Sequence, residues 1–117
     1  MYAIDTDALL DPRASDAALA AQVKDCGEKG LTGGLLCDPQ GRVLLALQEH
    51  NAIGRRNADG TVEIVASDPR LIWADTLWID DGWLYICAAQ ANRRPEFNAG
   101  VDRQQSPYAI LRVRLPA

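Results

Sequence analysis

A carboxylate and a hydroxyl stand side by side at Asp75-Thr76, just ahead of the apolar run Leu77-Trp78-Ile79. Such a pair can hydrogen-bond an amine or a hydroxylated ring, and it equally suits a turn in which the Asp satisfies backbone N–H groups before a strand. Gln90 and Asn92 follow the next apolar run, Trp83 to Cys87, and offer neutral donors and acceptors either to a ligand or to solvent. Glu49-His50-Asn51 reads as an exposed loop, because a metal needs more ligands than one turn can offer. His50 is the only histidine, so a zinc site or a Ser-His-Asp triad would rest on it alone. Cys26, Cys37 and Cys87 lack CxxC spacing. Cys37 and Cys87 sit in apolar runs and read as small buried hydrophobes, while Cys26 can pair with a partner outside the chain. Trp73, Trp78 and Trp83 read as core and sheet-face aromatics, with Trp73 close enough to Asp75 to stack on an aromatic ligand. The pairs Arg55-Arg56 and Arg93-Arg94 read as solvated charges. These residues assign no catalytic group, no metal-ligand set and no cofactor, and they leave open whether the protein is an enzyme.

The whole composition narrows the partners. Sixteen acidic residues outnumber twelve basic ones, for a net charge of -4 and a pI near 4.8, the wrong balance for nucleic acid. No apolar stretch nears the roughly 20 residues that span a bilayer, so no membrane partner is expected. The start, Met-Tyr-Ala-Ile-Asp, has neither the basic residues nor the apolar run of an export signal. With 48% hydrophobic and 24% charged residues, the chain has the make-up of one globular domain or part of one.

The elements that must hold these side chains are mostly strands. Tyr2 to Asp5 alternates like a short strand, and Leu9-Leu10-Asp11-Pro12 predicts a turn before any helix starts. Ser15 is a candidate N-cap for one short helix reaching Val23 and ending at Cys26-Gly27, two or three turns in all. From residue 33 helical spacing gives way to short apolar runs divided by Gly, Asp, Asn and Pro. Four strands are expected between 33 and 66, and further strands from 75 to 114 broken by a polar loop from Gln90 to Pro107. Asp38-Pro39-Gln40-Gly41 and Asp80-Asp81-Gly82 each read as a hairpin turn leading into an apolar strand, and they start 42 residues apart. A period of about 40 to 50 residues with four antiparallel strands is the signature of a propeller blade. A single small antiparallel sandwich is the other arrangement that fits.

Longer segments carry a resemblance. They include Asn51-Ala52-Ile53-Gly54-Arg55-Arg56, Asp68-Pro69-Arg70-Leu71-Ile72-Trp73-Ala74-Asp75-Thr76-Leu77 and Ser106-Pro107-Tyr108-Ala109-Ile110-Leu111-Arg112-Val113-Arg114. With the N-terminal strand and helix, they make the chain similar to the C-terminal part of the major royal jelly protein and yellow family of six-bladed propellers. The resemblance implies an all-β fold in the form of a partial β-propeller. Residues 1–32 would give an outer strand, helix and connection, 33–66 a full blade, and 75–114 most of the next. It implies a small aromatic or amine ligand at the central channel, with Asp75, Thr76, Gln90 and Asn92 at the channel end, and a secreted protein. Departures accompany it: Thr32-Gly33-Gly34 stands where the family usually has Ser-Asp-Gly, Leu47 where it has an Asp, and Ala88-Ala89-Gln90 where it has Ala-Asn-Gln. The related calcium-dependent lactonase propellers build their ion site from several blades, and here only Asp75 is an obvious contributor. A ligand-binding module is therefore the first expectation. A lactonase-like hydrolase, or a truncated chain without ligand activity, is the alternative. Two blades are short of six, so either blades are missing or copies self-associate, three making 351 residues; both leave blade faces exposed.

Overall fold

The computed structural model describes residues 1–115. Its strands are β1 (Tyr2–Ala3), β2 (Lys24–Asp25), β3 (Thr32–Cys37), β4 (Val43–Leu47), β5 (Ala52–Arg56), β6 (Val62–Ser67), β7 (Ala74–Asp80), β8 (Trp83–Ala88) and β9 (Ala109–Arg114). All pairing is antiparallel. β1 and β2 form a two-stranded ribbon, the next four strands a meander in the order β3-β4-β5-β6, and the last three a second meander, β7-β8-β9. The fold class is all-β.

Two short helices replace the single one expected. α1 (Thr6–Leu10) forms where a turn was predicted, because Asp5 caps it by accepting a hydrogen bond from the Asp7 N–H at 2.9 Å. Pro12 lies beyond the C-cap, where it stops the helix without preventing it. α2 (Asp16–Ala20) has the Ser15 cap, whose Oγ accepts from the Ala18 N–H at 3.3 Å. It ends sooner than expected, since Lys24 and Asp25 leave the helical path to pair with Ala3 and Tyr2. Neither helix has a buried residue, so no tertiary contact extends them.

Alternation sets the faces of the two larger sheets. Leu44, Ala46 and Ile53 of the first sheet pack against Leu77, Leu84 and Ile86 of the second, with Leu71 and Ala74, to form the main core. Leu45, Leu47 and Ala52 point away from it and make a smaller cluster on the far side of the first sheet. Cys37, expected to be buried, is exposed, because the alternation that turns Leu36 inward turns its neighbour out. Trp78 likewise stands on the outer face, 65% exposed.

The turns explain how hairpins so short can close. Asp81 and Gly82 both have positive φ, 44° and 72°, as a two-residue turn matched to strand twist requires. At the corresponding point of the first sheet, the Gly41 N–H donates to the Asp38 carbonyl and the Asp38 N–H to the Arg42 carbonyl. The 42-residue spacing extends into the strands. The pairing of β3 shifts register between Thr32 and Leu35, that of β7 between Ala74 and Leu77, and each pair of positions is offset by 42.

Candidate functional site at the β3–β7 end

Both bulges lie at the starts of the first strands of their sheets, and a bulge re-aims the side chains beside it. Here the two starts meet. A Cβ added to Gly34 would collide with the Asp75 carbonyl, and one added to Gly33 would collide with the Gln48 amide nitrogen and lie 2.6 Å from the Ala74 carbonyl. Asp75 Oδ1 is 3.2 Å from that same point. Glycine at 33 and 34 thus lets the backbones approach closely and brings the Gln48 amide and the Asp75 carboxylate to one place. Gln48 is delivered by the 3-10 turn Gln48–His50, which closes on Asn51 at a left-handed φ of 46°. On the other side of β3, Lys29 Nζ donates to Thr32 Oγ1 at 2.6 Å.

Asp75 and Thr76 are exposed, and Asp75 has no side-chain hydrogen bond or ion pair to another of the described residues. Its carboxylate is therefore available to a donor from outside. Ala74 pairs with Ala88, so Gln90, two residues beyond Ala88, is at the same end of the sheet as Asp75.

Gln90 is buried and already engaged. Its Oε1 accepts from the Gln105 N–H at 3.0 Å and from Arg93 Nη1 at 3.1 Å, and its Nε2 donates to the Gln105 carbonyl at 2.8 Å. Its backbone N–H donates to the Ile72 carbonyl at 3.0 Å. The residue fastens the long loop after β8 to the segment that leads into β7. Asn92 is exposed on that loop, where its carbonyl accepts from Asn98 Nδ2 at 2.8 Å. With Arg93, Asn98, Arg103 and Gln105 it lines an open polar depression.

Gln48 escaped the sequence reading. An isolated Gln after an apolar strand carries no motif, and only the packing of β3 on β7 shows where its amide goes. The arginines were also underestimated. The Arg55 side chain is only 16% exposed and pairs with Glu63 at 2.5 Å, while Arg56 donates to the Cys26 carbonyl. At the opposite end of the sheet stack, Arg42, Arg55 and Arg114 line a cleft of about 320 Å³ with Asp38. Asp38 is buried and accepts from Arg42 Nε at 2.6 Å, the Arg42 N–H at 2.8 Å and the Gln40 N–H at 3.0 Å. Burial pushes its carboxyl up, but these hydrogen bonds and the Arg42 charge together outweigh burial and hold it below the usual value.

Glu49 and His50 are exposed and flank an apolar groove with Leu31, Leu47, Val62 and Ile64. Among the described residues, no three His, Cys, Asp or Glu side chains gather as a metal-ion site would need. The three cysteines are free. No helix of the described residues is long and apolar enough to cross a membrane. No protein-family model matches the chain, and a search of curated proteins gives no match either.

Proposed function

We propose that the chain is a segment of a six-bladed propeller of the royal jelly and yellow kind, and that it binds a small aromatic or amine ligand at the β3–β7 end. The observation that carries this reading is the unpartnered Asp75 carboxylate set beside the Gln48 amide where two first strands meet over paired glycines. A carboxylate is the natural acceptor for an ammonium group, and the neutral amide and the Thr76 hydroxyl can serve a ring hydroxyl. The repeated hairpins and bulges, offset by 42 residues, support the propeller part of the reading. Gln90 enters it as the residue that holds the loop, and Asn92 as an exposed amide carried by that loop. By the same resemblance, the protein is secreted.

Titration calorimetry with dopamine and tryptamine tests the site. Asp75→Asn is expected to weaken binding by about 1.5 to 3 kcal/mol, the scale of a hydrogen bond to a charged group. Glu49→Gln, in the neighbouring turn, is expected to change little. Equal losses in both variants would move the site elsewhere, and no heat from either amine with the unmodified protein would leave this end as scaffold.

A further inference from the structure

The core described above uses only one face of each sheet. On the outer face of the first sheet, Leu35 is 52%, Val62 39% and Ile64 56% exposed, around the small cluster of Leu45 and Leu47. On the outer face of the second, Trp78 is 65% and Ile110 71% exposed. These residues share faces by register: Leu35 lies opposite Leu45, Gly54 opposite both Leu45 and Ile64, and Trp78 opposite Tyr85. Exposed apolar side chains thus stand on both outer faces of the two-sheet stack, joined on the second by Arg112 opposite Tyr85 and Arg114 opposite Trp83.

Two further features indicate what covers them. Among the described residues the second sheet has three strands with β9 at its edge, and the first has four. The charge is also divided along the chain. Residues 1–28, which contain the β1–β2 ribbon and both helices, hold six acidic and two basic residues. Residues 91–115, which contain β9, hold five basic and two acidic ones, all five being arginines. Three of these arginines belong to the loop after β8, whereas Arg112 and Arg114 of β9 lie over the Trp83 ring on the outer face of the second sheet, so the acidic N-terminal segment of one copy complements these two cations of another.

We infer that copies of this chain associate head to tail, the outer face of the second sheet of one copy packing on the outer face of the first sheet of the next. The acidic N-terminal segment of the second copy then lies along the β9 edge of the first. The contact is heterologous, since the two surfaces differ, and it repeats until a ring closes. Under the six-bladed reading each copy is the segment that supplies two blades, and closure takes three copies. The inference rests on the sheet stack and the charge division and does not use the Asp75 site, so either can fail without the other.

Light scattering after size-exclusion chromatography tests it. The unmodified chain is expected to run well above its 12.7 kDa monomer mass and to shift toward monomer as salt is raised from 0.05 to 0.5 M, by about the screening that shortens the Debye length over that range. Ile64→Glu spoils one face and Trp78→Glu the other. Each variant alone is expected to be monomeric, with strand circular dichroism retained because both positions are exposed. Mixed in equal amounts, the two are expected to form a heterodimer, since each supplies the face the other lacks. A monomeric unmodified chain, a variant that still assembles as the unmodified chain does, or a mixture that stays monomeric overturns the inference. The salt titration of the unmodified chain decides the matter even if a variant fails to fold, because salt-insensitive behaviour removes the charge pairing on which the orientation depends.

Discussion

Asp68 lies in the turn between the two sheets, where its carboxylate takes two side-chain hydrogen bonds from Arg70, both at 2.8 Å, and one from the Arg70 N–H. The side-chain bonds to Arg70 hold its carboxyl down at about 2, against an ordinary 3.8. Asp38 is shifted in the same direction, burial opposing and its Arg42 and Gln40 partners prevailing. A carboxyl whose folded value is depressed adds stability above its unfolded value, and that stability is lost as pH falls through the folded one. Unfolding free energy measured in urea is therefore expected to fall between pH 4 and pH 2. Asp68→Asn and Asp38→Asn should each flatten that fall, and equal slopes in the variants and the unmodified chain would show that other groups set it. At this scale much of Asp38 was legible, since Asp-Pro-Gln-Gly announces a turn whose Asp accepts backbone N–H groups. Its pairing with Arg42 was not, because an ion pair depends on where a strand takes the arginine after the turn.

Strands β3 to β8 could be read from apolar runs and turn residues because alternation and Asp-Gly turns are local signals. α1 could not, for Leu9-Leu10-Asp11-Pro12 signals only its end, and the cap at Asp5 stands before a stretch too short to show helical spacing. The contact between β3 and β7 was likewise hidden. Thr32-Gly33-Gly34 marked a departure from the expected polar pattern, but only the meeting of two bulged strand starts explains why no side chain fits there. Gly34→Ala should then force the Asp75 carbonyl away, costing about 1 to 3 kcal/mol as overpacking against backbone does. The atoms nearest to a Cβ added at Gly54 are Val62 Cγ1 and Leu47 side-chain carbons, which can rotate aside, and Gly54→Ala should cost less. Chemical denaturation of both variants gives the comparison, and an equal or reversed order would mean the β3–β7 contact yields easily. Gly34→Ala should also weaken amine binding, since it displaces Asp75.

The molecule as a whole is held by one core shared between two sheets that are separate in hydrogen bonding. Ile53 is fully buried in that core. Ile53→Ala should cost about 2 to 5 kcal/mol, the range for removing such a side chain, and should lower the stability of β8 amides as much as those of β5. Hydrogen exchange monitored along the chain would show it. Selective loss of protection in the first sheet would mean the sheets open independently. All three tryptophans, Trp73, Trp78 and Trp83, belong to the second sheet or the segment leading into it. The Trp83 ring is covered by the guanidinium of Arg112 at 4.4 Å and lies 5.5 Å from that of Arg114. Indole emission is thus an optical probe of one half of the molecule, while far-ultraviolet dichroism sums both. Superimposed melting curves from the two signals would report that the halves melt together, and a gap between them would give the free energy that separates their openings.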